Sequence, residues 1–156
     1  MVFTDSLKKN NILINAKAKN RWDLIDEMID LAVKNKEISE SDCIGIRNAL
    51  MEREKSMSTG IGNGVAVPHC STPIVEDLIV IMAICSQNID FDSIDNNPVR
   101  IAFLLIVPKL KLAQHIKTLA NIAKLMSNES LRLKLITLKT QNAILKLIKK
   151  FEIEKS

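Results

Sequence analysis

Two stretches of this chain, residues 78–84 and 99–107, are apolar at nearly every position and rich in Val and Ile. Side chains of a strand alternate between two faces, so a strand needs apolar residues throughout only when both faces are buried. The two runs therefore call for a sheet with helices on both sides. Neither is long enough for a membrane helix: the longest uninterrupted apolar stretches, 78–85 and 101–107, fall far short of the ~20 residues that cross a bilayer. No direct membrane insertion is expected.

The segments around these runs follow a helical period. Asn20 stands three residues before Asp23, a capping arrangement, and Trp22, Ile25, Met28, Ile29 and Ala32 then recur at the three-and-four spacing of a buried helical face. A second helix is expected from Ser39 or Ser41 to about Glu54, with Cys43, Ile46 and Leu50 on one face and Arg53 in its last turn. After Pro108 a stripe of Leu112, His115, Ile116, Leu119, Ile122, Ala123 and Met126 predicts a third helix, with His115 near its start on the buried side. Segments 129–138 and 140–150 predict two more, with Leu and Ile inward and Lys outward. Ile12-Leu13-Ile14 and residues 65–67 are short strand candidates, and Ser71-Thr72-Pro73 and Asp95-Asn96-Asn97-Pro98 are turn signals. The expected fold is α/β, a single-domain sandwich over residues 1–156 with a mixed β-sheet covered by helices on both faces.

The chain has 156 residues, one ordinary domain's worth, and 47% of them are apolar and 26% charged, the balance of a globular protein. A domain of this length buries roughly 70% of its unfolded surface, so on length alone one core is enough. Residues 1–11 hold no apolar stretch suited to a secretory signal. Cys43, Cys70 and Cys85 are far apart and odd in number, which fits reduced thiols in a cytoplasmic protein and neither a disulfide framework nor a zinc site. The net charge of +4 raises the question of nucleic acid, but aromatic content is 3%, Tyr is absent and no binding module is recognisable. No nucleic-acid partner, cofactor or metal is expected.

Chemistry concentrates in one place. Gly60, Gly62 and Gly64 lead directly into Val65-Ala66-Val67-Pro68-His69, which carries one of only two histidines. Glycine permits sharp bends and close approach of the backbone, and proline restricts the chain that holds the imidazole. The glycines precede a strand, contain no Lys-Ser/Thr and do not open a helix, so P-loop and dinucleotide readings fail. The alternative is that His69 is itself a phosphoryl acceptor. Neutral imidazole has one ring nitrogen with a lone pair, and a hydrogen bond from the other nitrogen to a backbone carbonyl would fix which one. Phosphoryl transfer spreads charge over three oxygens, so nearby donors and cations do most of the catalytic work. Candidates are Arg53, His115, and the hydroxyls and amides of Ser58, Thr59 and Gly60. Taken singly, each has a plainer alternative: His69 as a loop residue, His115 as a satisfied core histidine, Arg53 as a surface cation and Cys70 as a small buried filler.

The string Glu52-Arg53-Glu54, then Ser58-Thr59-Gly60-Ile61-Gly62-Asn63-Gly64-Val65-Ala66-Val67-Pro68-His69, resembles the active-site signature of the enzyme IIA domains of the mannitol, fructose and nitrogen-regulatory class. These belong to the bacterial phosphoenolpyruvate-dependent phosphotransferase system. The likeness continues through Ile89-Asp90-Phe91-Asp92, Phe103-Leu104-Leu105-Ile106-Val107-Pro108 and His115-Ile116-Lys117-Thr118-Leu119-Ala120. The resemblance implies that His69 is phosphorylated at Nε2 by the phosphocarrier protein HPr. It also implies that His115 assists at the phosphoryl group, that Arg53 sits beside it, and that an apolar rim docks HPr and the downstream partner. Cys70 replaces the glycine many relatives carry after the Pro-His pair, and Gln114 replaces an acidic residue frequent before the second histidine.

Two roles follow from the resemblance. A nitrogen-regulatory IIA signals through its phosphorylation state to target proteins, whereas a sugar-specific IIA passes the phosphoryl group to an enzyme IIB domain during uptake. The match over 58–69 and the lack of a fused IIB or IIC sequence lead us to expect the regulatory role.

Overall fold

The computed structural model describes residues 3–154; Met1, Val2, Lys155 and Ser156 lie outside the described residues. At its centre β5 (Ile79–Ile89) and β6 (Val99–Pro108) pair antiparallel. Their side chains divide by alternation: Ala102, Leu104 and Ile106 enter one apolar cluster, while Ile101, Phe103, Leu105 and Val107 enter another on the opposite face. Ile81 and Ala83 of β5 join the first cluster, and Val80, Met82 and Ile84 the second. This is the two-sided burial that the uninterrupted apolar runs require. Each large side chain so buried, Phe103 or Leu104 for example, contributes about 1.5–3 kcal/mol.

Helices cover both clusters. Over the first lie α1 (Arg21–Lys34), whose Asn20 cap accepts the Asp23 amide, and α2 (Glu40–Ser56), capped by Ser39 on the Asp42 amide. Over the second lie α3 (Leu112–Met126), α4 (Glu129–Leu135) and α5 (Gln141–Glu154), which bury Ile122, Leu131, Leu135, Ile144 and Ile148. Around the central pair, β1 (Ile12–Ala16) runs parallel to β5, and β3 (Val65–Ala66) and β4 (His69–Thr72) both run parallel to β6. A final strand, β2 (Gly60–Gly62), runs antiparallel to β3 at the sheet edge. The result is a single-domain α/β sandwich with a mixed sheet.

β3 and β4 occupy one side of β6 as two pieces of a single line, interrupted at Val67-Pro68. Pro68 has no N–H to give to a ladder. Its carbonyl still accepts the Leu105 amide at 2.9 Å, so the chain stays on course across the interruption and delivers His69 at the first position of β4.

Several boundaries differ from those expected. Ser71 and Thr72, read as turn residues, are strand residues paired with Val107 and Pro108, and the turn begins at Pro73. β5 begins at Ile79 and runs past Ile84 to Ile89, with a register shift where polar Ser86-Gln87-Asn88 emerge. α4 ends at Leu135 instead of 138, and α5 continues to Glu154 instead of 150. The stripe on α3 departs furthest: His115, Ile122 and Met126 are buried, but Leu112 is 42% and Ile116 56% exposed, and Ala123 is also exposed. The helix joins the second cluster through Ile122, Leu125 and Met126, so apolar side chains of its first two turns such as Leu112 and Ile116 meet solvent.

Candidate functional site

The glycine segment folds as a hairpin. Asn63 and Gly64 both take positive φ, 60° and 77°, the pairing of a tight two-residue turn between β2 and β3. Asp95 accepts the Asn63 amide at 2.8 Å and fixes the turn. The hairpin places Thr59 beside Val67, whose N–H donates to the Thr59 carbonyl at 2.9 Å.

Two residues further on stands His69. Its Nδ1 lies 2.7 Å from the Val67 carbonyl. A carbonyl oxygen only accepts, so Nδ1 carries the proton and Nε2 holds the lone pair in the neutral ring. Burial pushes the His69 pKa below its ordinary 6.5; the Val67 hydrogen bond and Glu54 work against that shift, and the nearby Arg53 charge adds to it. At neutral pH the ring is therefore uncharged, with its lone pair on Nε2.

His69 lines a cavity of about 520 Å³ together with Arg53, Glu52, Ser71, Leu112, His115 and Ile116, among others. Arg53, in the last turn of α2, donates one Nη1 hydrogen bond to the Met57 carbonyl at 2.8 Å, which leaves most of its N–H groups for another acceptor. His115 closes the first turn of α3, is 6% exposed, and has Nδ1 3.2 Å from the Thr118 hydroxyl. Burial, then the Lys111 charge, lowers its pKa from 6.5. The structure thus gathers His69, His115 and Arg53, from three separate elements, around one cavity.

Ser58, Thr59 and Gly60 are placed differently and do not line that cavity. Thr59 is buried, and both its amide and its hydroxyl donate to the Glu54 carboxylate. The Ser58 hydroxyl donates to the Phe91 carbonyl and accepts the Gly60 amide at 3.0 Å. The donors expected to meet a phosphoryl group are taken by the protein, because Glu54 and Phe91 reach them first. Cys70 is buried, and desolvation pushes its thiol up to about 12, which keeps it protonated and supports the filler reading.

Glu54 was treated in the sequence only as the partner of Arg53 in a motif. It is 1% exposed, and Arg21 lies 3.3 Å from it. A legible signal existed: Glu54 follows Ile46 and Leu50 at intervals of four on the buried face of α2, where a carboxylate requires partners. Among the described residues no group of three His, Cys, Asp or Glu is arranged to hold a metal ion, and no helix is long and apolar enough to cross a membrane.

The fold is thus an α/β domain, a mixed sheet between helical layers, with two histidines and an arginine at one cavity. Residues 5–151 match the family model for the phosphoenolpyruvate-dependent sugar phosphotransferase system, EIIA 2, and the chain belongs to that family. It is 33% identical over 144 residues to a nitrogen regulatory protein of Bradyrhizobium diazoefficiens, covering 92% of both chains. It is 27% identical over 148 residues to the fructose-specific EIIABC component of Bacillus subtilis, covering 95% of this chain but only 23% of that protein. The crystal structure of nitrogen regulatory protein IIA-Ntr from Neisseria meningitidis superposes with a TM-score of 0.83 at 26% identity, over 93% of this chain and 97% of that one.

Proposed function

We propose that this domain is a phosphohistidine carrier that accepts a phosphoryl group from phospho-HPr on Nε2 of His69. The observation that carries this reading is the 2.7 Å contact from Nδ1 to the Val67 carbonyl, which commits the lone pair to Nε2. In the transfer that lone pair forms a bond to phosphorus as the P–N bond to the HPr histidine breaks, and the leaving electron pair returns to the HPr ring. Nδ1 keeps its proton throughout. As positive charge develops on the His69 ring, the hydrogen bond to Val67 becomes charge-assisted and strengthens.

Arg53 and His115 serve the phosphoryl oxygens. Arg53 supplies a fork of donors and a permanent charge. With the Thr118 hydroxyl donating to Nδ1, His115 carries its proton on Nε2 and presents it to an oxygen. Ser58, Thr59 and Gly60 support the site through the hairpin, Thr59 holding Val67, and do not bind the phosphoryl group directly. The exposed Leu112 and Ile116 beside the cavity form the rim against which HPr and a downstream protein dock. This chemistry belongs to the cytoplasm, where phosphoenolpyruvate supplies the phosphoryl group.

We assign the regulatory role, in which the phosphorylation state of His69 switches binding to target proteins. Its support is the likeness to nitrogen regulatory proteins along nearly the full length of both chains. The likeness to the Bacillus fructose protein favours the other role, transfer to an enzyme IIB domain for sugar uptake. Reconstitution with labelled phosphoenolpyruvate, enzyme I, HPr and a panel of IIB domains separates them. Label retained on this domain in the presence of every IIB supports regulation, and rapid passage to one of them establishes the sugar relay.

A further inference from the structure

We propose that Glu54 is a positioning residue for His69: its carboxylate fixes Thr59, the Thr59 carbonyl holds Val67 by its N–H, and the carbonyl of Val67, one Cα further along, holds Nδ1–H of the acceptor ring. The inference rests on the reading of His69 as the acceptor.

Each link is a hydrogen bond. Arg21 reaches Glu54 Oε2 at 3.3 Å and the Phe91 carbonyl at 2.9 Å. Glu54 receives the Thr59 amide at 3.0 Å through the same oxygen, and the Thr59 hydroxyl through the other. The Thr59 carbonyl receives Val67 N–H at 2.9 Å, and the Val67 carbonyl receives His69 Nδ1–H at 2.7 Å. The chain thus runs without a gap from α1 through the end of α2 and the hairpin to the imidazole.

Two physical points make this more than packing. A carboxylate withdrawn from water costs several kcal/mol that its ion pair only partly offsets, and an apolar side chain continuing the Ile46 and Leu50 stripe would serve stability as well. What an apolar side chain cannot do is accept two hydrogen bonds from one residue and so fix both the position and the twist of the Thr59 peptide. Second, Val67 donates through its N–H and accepts through its carbonyl, groups of two successive peptide units joined at one Cα. Fixing the N–H on Thr59 limits how that Cα can turn, so a firmly held Thr59 keeps the Val67 carbonyl aimed at the His69 proton. Loosening Thr59 weakens the selection of tautomer and lets a proton sit on Nε2, where it blocks attack.

The test uses the full chain with the substitutions Glu54→Gln, Thr59→Val and Thr59→Ser, with His69→Ala beside them. Nitrogen-15 NMR reads the His69 tautomer, and labelling from phospho-HPr gives kcat and KM. Wild type and Thr59→Ser are expected to hold a single Nδ1–H tautomer. Glu54→Gln and Thr59→Val are expected to show a mixture, with kcat reduced about ten- to a hundredfold, in line with the cost of small displacements of a reacting group. KM stays unchanged because residue 54 is buried and touches no docking surface. A pure Nδ1–H tautomer with wild-type kcat in both variants overturns the proposal. So does loss of the folded state in both, which would assign the pair to stability alone. Labelling of His69→Ala at the wild-type rate would instead overturn the acceptor reading, while the tautomer measurement would still report on the relay.

Discussion

An imidazole attacks through whichever nitrogen lacks a proton, and at His69 one backbone carbonyl makes that choice. In the proposed transfer, Arg53 and His115 set the rate from the side of the phosphoryl oxygens. Replacing Arg53 with Ala removes a charge-assisted contact and should slow labelling by about 1.5–3 kcal/mol of transition-state stabilisation, measured as kcat/KM against phospho-HPr. An unaltered value would return Arg53 to its single visible duty, holding the Met57 carbonyl at the end of α2. His115→Ala should remain able to accept label but do so more slowly, and stopped-flow transfer identical to wild type would leave it a core histidine. His69, His115 and Arg53 could be singled out because proline, glycine and motif spacing are local features, and the structure brings the three to one cavity. The partner of Ser58 was hidden, since Phe91 lies 33 positions away, whereas that of Thr59 was within reach, Glu54 standing five residues before it on the buried face of α2.

The hairpin of β2 and β3 is the element on which the site stands, and it tolerates little. A Cβ on Gly60 would sit 2.1 Å from Ser93 Oγ and 2.9 Å from Ser93 Cβ, a clash that side-chain rotation does not relieve. Gly60→Ala is therefore expected to cost about 1–3 kcal/mol of stability in chemical denaturation, as overpacking of a tight interior does. A wild-type midpoint would mean that the hairpin shifts freely away from Ser93. Helices α1 and α2 were legible to within a residue or two because Asn20 and Ser39 announce them locally. β4 was hidden, since its only partner is β6 and a parallel edge pairing leaves no trace beside Ser71-Thr72-Pro73. On α3 the apolar period was real, but burial depends on which part of the helix packs against the second cluster, and no sequence pattern reports that.

Across the whole molecule, the order of the strands was beyond reach of the sequence, whereas the existence of two cores was not: every second residue of β6 points to each. The way the two layers hold both histidines has a consequence for stability. His69 and His115 have pKa values lowered by burial relative to 6.5, so the unfolded chain binds more protons than the folded one just below that pH. Their contribution to stability is complete above 6.5 and is lost as pH falls through the folded-state values. Asp95, held below 3.8 by the Asn63 and Asn97 amides, loses its contribution only in a separate, more acidic window. Thermal melts should accordingly show a first decline of Tm beginning below about pH 6.5, flattened in the double variant His69→Gln, His115→Gln. An equal decline in that variant would place the acid sensitivity elsewhere.

In the proposed function Nε2 of His69 becomes a temporary covalent carrier. Tandem mass spectrometry at alkaline pH, where phosphorus–nitrogen bonds survive, after incubation with phosphoenolpyruvate, enzyme I and HPr tests it most directly. The expected result is a single phosphoryl group on the peptide containing His69, absent from His69→Ala. Phosphorylation at another residue, or an unmodified His69 beside fully phosphorylated HPr, would contradict it.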